Sequence, residues 1–263
     1  APALSPLFGP VYGGLVLEFL PWPWIFWTVG GFTLLVGVVL IIFLPETLVK
    51  EERKFDVGKS LKLILDYRIF FLGTSLGMAF SGIMALLYRY PIDMEFNFGY
   101  SNFDLGITYI PYGICSFIGS KLGGSLSDFL YVQKGRGARL IPTLFGLFFF
   151  SSMIVLFAFA TNEYIYITSY ALGGMLFSFL RPGIIAFAIP FYPNKASSVT
   201  AVIFTWYYLW GLLGVSLGPY IAVEFGEAGI FWFFIIQAIC IATIPFAIIL
   251  TNTITFWRTK SRR

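Results

Sequence analysis

Histidine is missing from this chain altogether, cysteine occurs only twice, and charged side chains are scarce. Each shortage excludes something. Without histidine there is no imidazole base for a nucleophile–His–acid arrangement, and without a Cys/His cluster there are no ligands for catalytic or structural zinc. Cys115 and Cys240 each lie inside an apolar run and read as small buried hydrophobes, not as a disulfide or metal pair. Asp, Glu, Lys and Arg together make up 11% of the 263 residues, against about 25% in an ordinary soluble domain. Such a chain cannot cover its surface with polar groups, so part of its solvent must be lipid. The expectation is a protein that is not an enzyme, with no catalytic residues, no metal and no cofactor.

Apolar and aromatic residues are abundant, at 58% and 20% of the chain. A hydrocarbon core of ~30 Å needs about 20 apolar residues per helix. Runs of that kind fall at about 24–44, 69–91, 103–126, 140–161, 164–188, 199–222 and 229–251, with a shorter Gly-rich one at about 3–20. They are too long for the strands of a membrane barrel and lack its alternation. The fold class expected is an all-α membrane protein of about eight spans.

The net charge of +4 would suit nucleic acid, but the positions of the basic residues argue for a membrane instead. Connections 46–68, 129–139, 189–198 and 252–263 hold 14 of the 17 Lys and Arg residues. The opposite side carries only Arg89, while Lys121 and Arg181 lie within spans. The positive-inside rule puts the long connector and the C-terminus in the cytosol. Trp22, Trp24, Trp27, Tyr100 and Trp232 at the other ends suit a headgroup belt. The connector ends in Leu61, Leu63, Ile64 and Leu65, which reads either as a short helix on the inner membrane face or as a solvated linker. The chain starts Ala-Pro-Ala, with no basic leader, and is expected to be a cut within a longer protein.

An internal echo organises the spans. Gly9-Pro10 and Ile25-Phe26-Trp27 at one end are matched by Gly218-Pro219 and Ile230-Phe231-Trp232 at the other. Each pair sets Gly-Pro inside one helix and Ile-Phe-Trp at the outer start of the next. Six spans separate the copies, and parallel six-helix repeats are a common plan for secondary transporters.

These residues carry a resemblance. Gly9-Pro10-Val11-Tyr12-Gly13-Gly14 resembles the antiporter motif in the fifth helix of major facilitator superfamily exporters, and Leu44-Pro45-Glu46-Thr47 the end of the sixth helix in fungal members. Gly124-Ser125-Leu126-Ser127-Asp128 with Arg136 and Arg139 resembles the superfamily's loop motif between helices eight and nine, although Phe129 stands where a basic residue is usual. The segment from Tyr192 to Ser198 is similar to the loop between helices ten and eleven of fungal exporters. The resemblance spans essentially the whole chain and is nearest the fungal twelve-spanner drug:proton antiporters of the quinidine-resistance type.

The resemblance implies an incomplete helical bundle holding helices five to twelve. Residues 1–45 would close the N-terminal half, 46–68 form the cytosolic connector, 69–251 the C-terminal six-helix half, and 252–263 a basic cytosolic tail. It implies proton-coupled export of drugs or small amphiphilic metabolites such as weak acids and polyamines, by a monomer in the plasma membrane. Its partners would be substrate, protons and lipid, with no nucleic acid. A facilitative uniporter of the same superfamily and an inactive truncated fragment stay open. A seven-helix receptor does not fit, because the outer connections are very short.

Gly9, Pro10, Gly13 and Gly14 offer a small, bent helix face for close packing, which the resemblance implies prevents leak. Asp128 at the inner end of its span can pair with Arg136 or Arg139, either as a conformational latch or as an ordinary surface ion pair. Arg181, about 26 Å into its span counted from Tyr164, is either a cavity charge or a snorkelling side chain. Tyr88, Tyr109, Tyr112, Trp206 and Tyr207, with Tyr90, Tyr208 and Gln237, are candidates for an aromatic cavity wall able to hold bulky amphiphiles. No carboxylate lies deep in a span, so the proton carrier is expected in helices outside this chain.

Overall fold

The computed structural model describes residues 5–45 and 62–260, and all regular structure among them is helical. Helix α1 is Ser5–Phe19 and α2 is Pro23–Phe43. A single 3-10 turn, Lys62–Leu65, leads into α3, Tyr67–Phe98. Helix α4 is Asn102–Lys134, α5 is Ile141–Ala158 and α6 is Glu163–Ala188. The last helical stretch, Ala196–Lys260, breaks at Gly226 into α7 (196–225) and α8 (227–260).

Five described stretches are long and apolar enough to cross a membrane: Pro23–Phe43, Tyr67–Phe98, Arg136–Ala158, Glu163–Phe191 and Ala196–Asn252. The last has 57 residues, about 85 Å at 1.5 Å per residue. That is more than two hydrocarbon thicknesses, and its break at Gly226 divides it into two crossings. Gly226 has φ 61° and ψ −156°, a region open in practice only to glycine. Helix α4 matches α3 in length, 33 against 32 residues, but is diluted by glycine, serine and tyrosine, and α1 is short.

Several helices outrun the apolar windows because capping residues, not hydropathy, decide where they end. Asp66 caps α3 by accepting from the backbone N–H groups of Arg68 and Ile69 at 2.9 and 3.4 Å. Helix α3 continues past Pro91 to Phe98, so most of the gap between the apolar runs 69–91 and 103–126 is helical. Ser101 then starts α4 by accepting from the Asp104 N–H at 3.2 Å. Asn162 starts α6 by accepting from Ile165 N–H at 3.0 Å. Helix α4 likewise absorbs the connection after Phe129 as far as Lys134, and α8 absorbs most of the basic tail. Of the connector's apolar end, Leu63 is buried and Leu65 exposed; Leu61, with Glu46 and Thr47 of the sixth-helix motif, lies outside the described residues.

Small residues set how the helices meet, as expected where lipid removes most of the hydrophobic drive between them. A Cβ on Gly119 or Gly123 would strike the backbone oxygens of Met175 or Phe179, so α4 and α6 touch main chain to main chain. Trp206 and Trp210 of α7 fill the notches left by Gly73 and Gly77 of α3. Helix α5 meets α8 through Phe157 and Phe234, ring centroids 5.5 Å apart. The core lies among α3, α5, α6 and α8, where Leu76, Ile83, Leu86, Phe150, Ile154 and Ile241 are buried. Helix α1 lies on α4 and touches its chain neighbour α2 far less. No residue of α2 is buried.

Candidate functional site

Within the bundle, three helices bring tyrosines into one column. Tyr170 of α6 is fully buried between Tyr90 of α3 and Tyr112 of α4. Its ring lies 4.5 Å from each, nearly parallel, at 14° and 16°. Tyr109 meets Tyr90 and Tyr170 edge-on at 5.3 and 5.6 Å. Offset and edge-on arrangements of this kind are the favoured aromatic geometries. The Tyr112 ring occupies the notch left by Gly174, where a Cβ would sit 2.3 Å from it. The Tyr170 hydroxyl has no hydrogen-bond partner among the described residues.

A second aromatic group lies about two turns further toward the C-terminal end of α6. Tyr207 of α7 stacks on Phe80 of α3 at 3.8 Å and 15°, and Phe177 of α6 lies 5.8 Å from Phe80. Arg181 follows Phe177 by one helical turn, so both belong to the same face of α6. Arg181 is half-buried on the face where the Phe177 and Tyr207 rings lie 6.3 Å apart, within electrostatic reach of Tyr207 and Tyr112. It forms no ion pair among the described residues. Of the side chains expected to line a cavity, Arg181, Tyr112, Tyr207, Tyr109, Tyr90 and Tyr208 therefore belong to one connected cluster. Tyr88 and Trp206 do not join it: Tyr88 packs on Gly218 and Trp206 on Gly73, both in the α3–α7 seam. Tyr170, Phe80 and Phe177 belong to the cluster without having stood out in so aromatic a sequence. For Tyr170 and Phe177 the spacing Tyr170, Gly174, Phe177, Arg181 along one face of α6 is the available signal; Phe80, on α3, has none.

The glycine motif of α1 divides into two faces. Gly14 contacts the Asn102 carbonyl, Pro10 contacts Gly106 and Leu7 contacts Gly113, all on α4. Gly9 and Gly13 point to open space, with nothing within 4 Å of an added Cβ. Tyr12 is hydrogen-bonded to Thr28, tying α1 to α2.

At the end of the bundle holding residues 128–139, Arg139 Nη1 lies 2.8 Å from Asp128 Oδ1. The carboxylate is largely exposed and the arginine mostly covered, with its guanidinium 4.2 Å over the Tyr131 ring. Arg136 is not the partner of Asp128. It donates to the Phe187 carbonyl at 2.8 Å and lies over the Phe191 ring at 4.2 Å. Gly124 faces Pro182 across the α4–α6 seam. The Tyr192 hydroxyl donates to Asp66, fastening the start of α3 to the turn between α6 and α7. That carboxylate raises the Tyr192 phenol above its ordinary range.

The opposite end holds a group that hydropathy alone concealed. Arg89 of α3 grips Asp93 with Nη2 at 2.6 Å and Nε at 2.8 Å, and reaches Glu227 at the start of α8 at 2.5 Å. Asp93 is 2% exposed and Glu227 is 79% exposed. Asn97 supports Asp93 at 3.3 Å. Nearby, the Tyr100 hydroxyl donates to Glu163 at 2.8 Å. Its phenol is pushed up to about 12, mainly by that bond to a carboxylate. The i,i+4 spacing of Arg89, Asp93 and Asn97 is the available signal, although Asp93 and Asn97 lie between the apolar runs 69–91 and 103–126.

Comparisons with known proteins accord with this architecture. The Major Facilitator Superfamily model matches residues 3–215. The multidrug transporter MdfA of Edwardsiella ictaluri is 27% identical over 112 residues, which is 41% of this chain and 27% of that protein. An uncharacterized transporter of Schizosaccharomyces pombe is 24% identical over 218 residues, covering 68% of this chain and 44% of its own. The MFS-type transporter phiD of a fungal species is 46% identical over 44 residues, 17% of this chain and 7% of its own. The matches thus span less than half the length of each of these relatives.

Proposed function

This chain belongs to the major facilitator superfamily, and from that premise we propose that it forms helices five to twelve of a proton-coupled exporter of drugs or small amphiphilic metabolites. The observation that carries the export reading is the contact of α1 with α4. The Pro10–Gly14 face presses against the backbone of Asn102 and Gly106 with no side chain between them. A helix of the first half thereby seals against a helix of the second along one side of any cavity, as an exporter working against a gradient requires. The names of the similar transporters, one of them a multidrug transporter, agree with this reading.

The cavity wall on this half is the cluster of Tyr112, Tyr207 and Arg181, with the tyrosine column beyond it. Alternating access needs clasps that open at little cost, and the two ends of the bundle carry them. The Asp128–Arg139 pair has an exposed carboxylate, and such pairs are worth about 0–1 kcal/mol. Release of Glu227 from Arg89 leaves Asp93 still paired, so no buried charge is stranded. The protein acts as a monomer in the plasma membrane with its C-terminus in the cytosol, and helices beyond this chain supply the proton carrier.

The test is transport by the full-length protein in proteoliposomes, with radiolabelled quinidine, spermine and benzoate under an imposed pH gradient. Gradient-driven movement that falls in Gly14→Val supports the reading. Downhill movement indifferent to pH makes the protein a uniporter.

A further inference from the structure

Arg181 is a charge within an apolar helix, in its C-terminal half, and has no counter-charge among the described residues. The carboxylates of the described residues lie at helix ends and connections: Glu18, Asp66, Asp93, Glu95, Asp104, Asp128, Glu163, Glu224 and Glu227. None of the ion pairs among the described residues includes Arg181. A charge placed inside a membrane bundle is costly and is ordinarily paired or facing a polar pathway. Its neighbours are instead the phenols of Tyr112 and Tyr207, which can donate hydrogen bonds as Arg181 itself does. The site thus presents three donors, one of them cationic, and no ionised acceptor.

We infer that Arg181, with Tyr112 and Tyr207, binds the anionic headgroup of the transported substrate, a carboxylate or sulfonate, and that the protein handles organic monoanions in preference to organic cations. A planar guanidinium matches the two oxygens of a carboxylate in a forked pair. The aromatic faces of Phe177, one turn before Arg181 on α6, and of Phe80 and Tyr207 stacked beside it supply an apolar surface for the body of the molecule. A cation brought to the same place meets a like charge. Away from bulk water that repulsion is stronger than in solvent, and it opposes whatever a cation–π contact on the rings returns. On this assignment charge decides over the aromatic wall. The inference rests on the transporter reading and names its substrate class.

The experiment measures equilibrium binding to the full-length protein in detergent at neutral pH, using three probes with one ring and different charge: benzoate, benzamide and benzylamine. Benzoate should bind about tenfold or more tighter than benzamide, with benzylamine weakest. Arg181→Gln should erase that order, and Arg181→Lys should keep it with weaker binding. Benzylamine binding as tightly as benzoate, no binding of benzoate, or an order that survives Arg181→Gln overturns the assignment. If Arg181→Gln does not fold, Tyr207→Phe serves in its place and should narrow the gap between benzoate and benzamide; an unchanged gap overturns the assignment. Binding needs no gradient, which separates the two readings. Benzoate binding without pH-driven transport defeats the export reading alone. Driven transport that prefers benzylamine defeats the anion assignment alone.

Discussion

At the scale of single residues, the network around Asp93 separates buried from exposed charge. Arg89→Ala leaves Asp93 without its cation at 2% exposure and is expected to lower stability by about 3–5 kcal/mol. Glu227→Gln removes a partner that is 79% exposed and should cost about 1 kcal/mol or less. Thermal melts of the purified variants check both. Tyr170→Phe acts in the opposite sense. The phenol oxygen is buried and unpartnered, and removing such a group should leave stability unchanged or raise it by about 1 kcal/mol. Tyr100 supplies a pH dependence. Its folded value of about 12 lies above its ordinary value of 10.0 because the neutral phenol donates to Glu163. That contribution is fully present below pH 10 and is lost as pH rises from about 10 to 12. The melting difference between the native protein and Tyr100→Phe should be constant at neutral and mildly alkaline pH and vanish near pH 12.

At the scale of elements, glycine is informative where backbones touch. Gly14→Ala forces a Cβ to within 2.4 Å of the Asn102 carbonyl and should cost about 1–3 kcal/mol by overpacking. Gly13→Ala, one residue earlier in the same motif, meets nothing within 4 Å and should gain about 0.5–1 kcal/mol from helix propensity. Cysteine cross-linking between α1 and α4, alongside melting, distinguishes them: Gly14→Ala lowers cross-linking yield and Gly13→Ala does not. The identities and order of the helices were legible from runs of about 20 apolar residues, since hydropathy reports burial in lipid directly. Their ends were not. Asp66, Ser101, Asn162 and Gly226 set the boundaries through local hydrogen bonds and backbone conformation, which a hydropathy window averages away. The same averaging hid Asp93, a polar residue on the buried face of a helix end that lies between two apolar runs.

At the scale of the whole molecule, basic residues mark one side. Impermeant labelling of single cysteines introduced at Lys54 and Arg262 in intact cells should leave both unlabelled, while one at Glu227 should react. Labelling of either of the first two positions would reverse or break the topology. The candidate site was legible in part. Arg181 stood out because an intramembrane charge is rare, and Asp128 and Arg139 because their motif is short and polar. Tyr112 and Tyr207 could not be separated from Tyr88 and Trp206 by sequence, since aromatic content is high everywhere and only the packing tells a seam from a cluster.

The tyrosine column also makes the protein its own optical gauge. Three near-parallel phenol rings 4.5 Å apart, on α3, α6 and α4, couple their electronic transitions and should give a strong near-ultraviolet circular dichroism couplet. Sliding α4 against α6 by a fraction of a helical turn would unstack Tyr112 from Tyr170 and collapse that signal. Substrate-driven rearrangement could then be timed by stopped-flow dichroism with no dye attached, and Tyr112→Phe and Tyr170→Leu would identify the band.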